Sequence, residues 1–147
     1  MSKPRTEMIA ETRAKLIAAA RHAFGTVGYA AASMDDFTAA VGLTRGALYH
    51  HFGDKKGLLE AVIDEIDDEM CQRLKVISDR ATSRWQGVVD EWIAYIEMAL
   101  EPEIQRIMFR DGPAVLGEIE SAIAALVYAD VSPAELERDA GLVIEGS

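Results

Sequence analysis

The residues best suited to chemistry lie in one short stretch, residues 44–52, with the sequence Thr-Arg-Gly-Ala-Leu-Tyr-His-His-Phe. Thr44 is suited to begin a helix, because its hydroxyl can accept a hydrogen bond from an otherwise unpaired backbone N–H. Leu48 and Phe52 are four residues apart, so both lie on one helix face and can be buried. The guanidinium, phenol and imidazole groups then face outward. Such groups bind phosphate oxygens and the edges of bases, so the stretch predicts a recognition helix for a nucleic acid.

A preceding helix is predicted to hold this stretch in place. Ser33 can cap its start, and Asp35 and Asp36 favour the positive end of a helix dipole. The helix is expected to run to about Val41 and to end at Gly42, which breaks the pattern. Two short helices joined by a tight turn that contains glycine are typical of a helix-turn-helix.

Apolar residues recur at helical spacing through most of the remaining chain, and no strand pattern stands out in the sequence. The predicted helices cover residues 8–27, 33–41, 44–52, 55–80, 83–100, a short stretch after Pro102, 114–127 and a last stretch from Ser132 to near Gly146. Residues 110–113 are predicted to form a loop or sharp turn. The predicted fold class is all-α, with a three-helix head that contains the helix-turn-helix and a helical body.

The charge is distributed unevenly along the chain. Residues 1–60 hold 8 Lys and Arg against 6 Asp and Glu, whereas residues 61–147 hold 7 against 19. A nucleic acid would be repelled by such a body and accepted only at the head. The acidic residues could equally serve only to keep the protein soluble, and both interpretations can hold together.

Composition excludes several classes of protein. No run of 18 apolar residues occurs, and the polar first seven residues lack the apolar segment of a signal peptide. Cys71 is the only cysteine, so no internal disulfide can form. We therefore expect a cytoplasmic protein without a membrane partner.

The sequence resembles the DNA-binding domain of the TetR family of transcriptional repressors over residues 10–60, about a third of the chain. The matching segments are residues 24–29, 33–37, 40–52 and 55–59. Their combination contains Gly-x-x-x-Gly-x-Leu-Tyr-x-His-Phe with a lysine three residues on. This combination is far more specific than any one segment alone.

The resemblance implies a DNA-binding head, residues 1–54, and a body for effector binding and dimerisation, residues 55–147. The positions that bind phosphates in the family match Ser33, Thr44, Tyr49, His51 and Lys55. The positions that approach bases match Arg45, Gly46 and, in some members, Tyr49 or His50. The implied function is a ligand-responsive repressor that binds a palindromic double-stranded DNA operator as a homodimer.

The chain departs from the family pattern in its last part. Family bodies usually continue for a few tens of residues more, and their closing helices usually form the dimer interface. Residues 118–147 also match the family poorly. We therefore expect the body to be truncated or incomplete after Gly117.

Large apolar side chains of the body could line a pocket for a small-molecule effector, which would then be largely apolar. The candidates are Trp85, Trp92, Tyr95, Met98, Met108 and Phe109. Trp85 and Trp92 are seven residues apart and share a helix face. Such stripes also form ordinary core, and that alternative stays open.

Other functions agree less well with the sequence. An effector-binding or protein-interaction module with a silent head would have a recognition helix without donors, whereas residues 44–52 are rich in donors. An enzyme would show a convergent titratable set, and the sequence has no zinc spacing, phosphate-binding loop or nucleophile motif. We therefore expect neither catalysis nor a cofactor or metal. At the level of single residues, the donors could form plain solvated surface, and His51 could bond a backbone group instead.

His50 generates a prediction about pH. If its imidazole lies on a phosphate, protonation adds a positive charge to that contact. Affinity for a fixed duplex, measured by fluorescence anisotropy, should then fall as the pH rises from about 6 to 8. His50→Phe should remove this dependence. Full pH dependence in the variant would favour the alternative, in which His50 is a neutral donor.

Overall fold

The computed structural model describes residues 4–117, in which every regular element is helical. The elements are α1 (Arg5–Thr26), α2 (Met34–Val41), α3 (Arg45–Phe52), α4 (Lys55–Arg80), α5 (Arg84–Ala99), α6 (Pro102–Ile104), a π-helix (Gln105–Asp111) and α7 (Gly112–Leu116). No helix within this range is long and apolar enough to cross a bilayer. The predicted all-α class and the helix-turn-helix are confirmed.

Side-chain caps explain where four of the helices begin. The side-chain oxygens of Ser33, Thr44, Asp54 and Ser83 each accept a hydrogen bond from a backbone N–H two or three residues later, at 2.7–3.3 Å. Each bond satisfies one of the backbone donors that a helix start leaves without a partner. The predicted starts of α2, α3, α4 and α5 are thereby confirmed.

The core runs without a break from the first three helices into the body. Phe24 of α1 meets Phe37 of α2 edge to face, with ring centroids 5.5 Å apart. Leu48 of α3 and Leu58 of α4 are fully buried in the same cluster, which continues along α4 to Leu74. Residues 4–117 consequently pack as one compact unit, and the division at residues 54 and 55 stays a prediction.

Polar contacts tie the end of α1 to the π-helix. The Asp111 carboxylate accepts a hydrogen bond from the backbone N–H of Tyr29 at 2.8 Å. The Arg106 guanidinium donates to the carbonyl oxygens of Gly25 and Thr26. These bonds satisfy carbonyls that the last turn of α1 leaves open. They also fix the segment that leads from α1 into the helix-turn-helix.

Two predictions for the body are corrected. The predicted loop at residues 110–113 is wrong, because the chain is helical there. Asp111 is held in the π-helix by its bond to Tyr29, and Pro113 lies in the first turn of α7, where its missing N–H is not needed. The predicted helix over 114–127 is also wrong in its bounds, since α7 ends at Leu116 before Gly117, whose φ is 78°. The predictions for residues 118–147 lie outside the described residues.

Gly57 allows α3 and α4 to approach closely. A β-carbon at this position would lie 2.0 Å from the carbonyl oxygen of Phe52, the last residue of α3. The backbone of Phe52 cannot yield as a flexible side chain would. Gly57→Ala is therefore expected to lower the free energy of unfolding by about 1–3 kcal/mol, measured by thermal denaturation with circular dichroism.

Gly46→Ala is the matched control for this substitution. Gly46 also lies near the start of a helix, but a β-carbon there would have its nearest neighbour at 4.0 Å. Alanine in a helix is favoured over glycine by roughly 0.5–1 kcal/mol, so the control should be as stable as the wild type or more so. If both variants behave alike, close helix packing at Gly57 is refuted.

Candidate nucleic-acid interface

The turn between α2 and α3 is closed by backbone hydrogen bonds. Gly42 has φ 67° and ψ 30°, a left-handed conformation that glycine adopts without strain. Leu43 then donates its N–H to the carbonyl oxygen of Thr38 at 2.9 Å. On the far side of the turn Leu48 is fully buried. The turn and this buried side chain together determine which face of α3 points outward.

The outward face of α3 carries the predicted donors. Thr44, Arg45, Gly46, Tyr49 and His50 are exposed, whereas His51 is half-buried. The Tyr49 side chain remains 43% exposed although it is a large aromatic. The predicted contact residues of α3 are thus accessible in the structure, His51 only in part.

Two predicted phosphate ligands also cap helices. The hydroxyls of Ser33 and Thr44 accept the hydrogen bonds that begin α2 and α3. A hydroxyl has a donor as well as acceptor sites, so each keeps its O–H for an oxygen outside the protein. Both lie beside helix N-termini, where the helix dipole favours negative charge.

Lys55 lies over an aromatic ring that is absent from the predicted site. Its ammonium nitrogen is 4.4 Å from the ring centroid of Tyr29. Partial burial lowers the pKa of Lys55 and raises that of Tyr29, whose pKa the Asp54 carboxylate raises further. Tyr29 therefore holds the ammonium at the start of α4. An apolar residue directly after a glycine such as Gly28 is typical of a contact at a helix end, which does not indicate a role beside Lys55.

Arg13 of α1 holds the end of α3, and it too is absent from the predicted site. Its guanidinium carbon lies 4.5 Å from the ring centroid of Phe52. One terminal nitrogen donates to the carbonyl oxygen of His51 at 3.2 Å. A cation at this place is stabilised by the negative, C-terminal end of the α3 dipole. The interaction joins residues 38 positions apart, which local sequence patterns do not reveal.

Arg45 is paired with an acid from the neighbouring helix. Its Nε lies 3.5 Å from Oδ1 of Asp35, and both side chains are largely exposed. In the sequence, the position of Asp35 indicated only a role at the start of α2. The structure shows that this carboxylate also meets the arginine predicted to approach bases.

The predicted effector residues fall into two groups. Met98 and Met108 are buried in the core and Tyr95 is half-buried, as the core interpretation requires. Trp85 is 76% exposed and Trp92 50% exposed, so neither belongs to the buried core of the described residues. Phe109 is exposed as well. A surface pocket of about 570 Å³ between α1 and the π-helix includes Phe109 and none of the other five. A shared effector pocket stays a prediction.

Two parts of the chain match models of known protein families. Residues 16–62 match the family model described as "Bacterial regulatory proteins, tetR family". Residues 85–135 match a second model, "Tetracyclin repressor-like, C-terminal domain". The first match contains the whole helix-turn-helix, and the second begins in α5.

Similar proteins of known structure and curated relatives agree with these matches. A crystal structure of a TetR-family transcriptional regulator from Pectobacterium atrosepticum is 59% identical, covers 81% of this chain and 61% of its own, and has a TM-score of 0.72. The HTH-type transcriptional regulator TtgR of Pseudomonas putida is 41% identical over 58 residues, 40% of this chain. The HTH-type transcriptional repressor KstR2 of Mycolicibacterium smegmatis is 27% identical over 110 residues, 75% of this chain. The chain spans 28% and 54% of the length of these two curated relatives.

The contacts of Arg13 generate a prediction about the stability of the interface. Arg13→Met keeps an unbranched apolar side chain but removes the cation from Phe52 and from the end of α3. We expect the free energy of unfolding to fall by roughly 0.5–1 kcal/mol, measured by urea denaturation. Lys15→Met removes the same charge from an exposed position on the same helix and should change stability by less than about 0.5 kcal/mol. Equal effects of the two substitutions would contradict the assigned contact.

Proposed function

We propose that this chain, which belongs to the TetR family of bacterial regulatory proteins, binds double-stranded DNA through α3 and represses transcription in response to a small-molecule ligand. The observation that carries the proposal is the outward face of α3, whose donors are fixed in direction by the burial of Leu48. The names of similar proteins support it, because they describe transcriptional regulators and a repressor.

The proposed contacts divide into two kinds. Ser33, Thr44, Tyr49, His51 and Lys55 bind phosphates and fix the register of the protein on the duplex. Arg45 and Gly46 approach base edges in the major groove, where an arginine can form two hydrogen bonds with guanine. Tyr49 or His50 can join them there, and His50 can alternatively bind a phosphate. The weakly basic first 60 residues and the acidic remainder favour approach to DNA by this end of the chain.

The proposed complex contains two copies of the chain on a palindromic operator. Their recognition helices would enter successive major grooves, roughly 34–36 Å apart. A ligand that binds one arrangement of the two heads more tightly than the other would shift the equilibrium between them. Two features of the structure could transmit the effect of a ligand from the body to the head. The helix α4 runs from Lys55 into the body, and Arg106 and Asp111 bind the segment that follows α1.

The proposed effector is a largely apolar small molecule bound by the body, and its action takes place in the cytoplasm. Trp92 and Tyr95 of α5 form an edge-to-face pair with ring centroids 6.4 Å apart. Together with the exposed Trp85 they give α5 an aromatic surface suited to an apolar ligand. Because both tryptophans lie on this helix, binding of candidate ligands can be measured by titration of the tryptophan fluorescence.

Selection of bound sequences from a random duplex library tests the proposal. The full chain is used at two salt concentrations, and enriched sequences are read out. A palindromic consensus with half-sites about 10 base pairs apart, centre to centre, is the expected result. If circular dichroism shows that the protein is folded and no sequence is enriched, sequence-specific DNA binding is refuted. The alternative is then favoured, in which the head is silent and the body binds an effector or another protein.

Lys55 provides a quantitative prediction on the selected operator. Lys55→Met should weaken binding to all sequences alike and reduce the slope of log affinity against log salt concentration by about 1, because one phosphate contact is lost. Lys75→Met is the control on the same helix, since Lys75 pairs with Asp79 at 3.1 Å. It lies roughly 30 Å further along α4. An unchanged slope in the Lys55 variant would remove Lys55 from the set of phosphate ligands.

A further inference from the structure

An acidic residue lies within the proposed DNA-binding surface. Asp35 is the second residue of α2 and Arg45 the first of α3, and their side chains form an ion pair that is 69% and 60% exposed respectively. A pair with this exposure contributes little to the stability of the fold. The pair therefore bears on the position of the arginine more than on the stability of the fold.

Asp35 does more than favour the start of α2. The adjacent Asp36 lies in the same first turn, is also exposed and interacts with the same helix dipole. Asp36 forms no ion pair within residues 4–117, whereas Asp35 reaches across the turn to α3. A carboxylate near phosphates is repelled, and at Asp35 the Arg45 cation offsets this charge, whereas at Asp36 no ion pair within the described residues does.

The geometry of the pair leaves one edge of the guanidinium open. Oδ1 of Asp35 lies on the Nε side of the Arg45 guanidinium, with a separation of 3.5 Å from Nε. The two terminal nitrogens retain their N–H groups, and they lie on the edge away from Nε. That edge can donate two parallel hydrogen bonds to O6 and N7 of guanine.

We propose that Asp35 is a positioning residue that holds the Arg45 guanidinium for bidentate reading of guanine and so determines base specificity. Arginine has many rotamers, and restricting them before binding lowers the entropy lost in the complex. Asp35 itself touches no base. The inference rests on the proposed function and adds to it a specificity-determining residue outside the recognition helix.

The test begins by locating the base pair that Arg45 reads. Each guanine of the selected operator half-site is replaced in turn by 7-deazaguanine, which lacks the N7 acceptor. The discrimination ratio is the affinity for the unmodified operator divided by that for the modified one. The pair at which Arg45→Ala abolishes discrimination is the pair read by Arg45.

Asp35→Asn and Asp36→Asn are then compared at that pair. Both remove one negative charge from the same turn, so both should strengthen binding to unrelated duplexes by a similar factor. Only Asp35→Asn should lower the discrimination ratio, by roughly fivefold or more. Asp35→Glu keeps a carboxylate in reach and should restore much of the ratio, and thermal denaturation of each variant checks that it is folded.

The outcomes distinguish failure of the positioning role of Asp35 from failure of the proposed DNA binding. Loss of discrimination in Asp35→Asn alone supports the positioning role. Equal ratios in Asp35→Asn and Asp36→Asn, or an unchanged ratio in both, would overturn it while leaving DNA binding intact. Failure of the wild-type protein to prefer any operator would overturn the proposed function first and the inference with it.

Discussion

Burial of Leu48 is the constraint on which the interface depends. The helix α3 has 8 residues, too few for an isolated helix to be stable in water. Burying one leucine contributes roughly 1.5–3 kcal/mol, and Leu48 is the one fully buried side chain of α3. Because the turn at Gly42 fixes one end of the helix and Arg13 holds the other, α3 can rotate little. The direction of each outward donor follows from this restriction.

The same constraint makes α3 dependent on α4. Glycine at position 57 lets the two helices approach to backbone contact, and only Gly53 and the cap Asp54 separate α3 from α4. The 26 residues of α4 extend about 40 Å and pack against α1, α3, α5 and α7. A displacement of the body part of α4 must therefore be transmitted to the end of α3 or be absorbed by bending of the helix. This continuity is the physical basis on which a ligand of the body can alter the head.

Sequence patterns predicted the features that depend on neighbouring residues. Caps such as Ser33 and Thr44 were predictable because their hydrogen bonds lie within three residues, and the end of α2 at Gly42 because a glycine there marks a local turn. The π-helix over 105–111 was missed, since Asp111 is held there by Tyr29, which lies 82 positions away. Asp-Gly-Pro is typical of a turn when seen alone. Arg13 and Tyr29 were absent from the predicted site for the same reason, because each acts through a residue remote in sequence.

The acid content of the chain and the acid beside α3 have different physical effects. The excess of carboxylates after residue 60 acts at long range and is screened by salt within about 10 Å at 0.1 M ionic strength, so it can orient an approaching duplex but cannot select a sequence. Asp35 is 3.5 Å from the Arg45 guanidinium, a separation at which screening by salt is weak. Its effect is on the direction of hydrogen bonds, which distinguish one base edge from another. A negative charge can therefore oppose DNA in general and still favour one particular base pair, provided that it acts through a cation already committed to that contact.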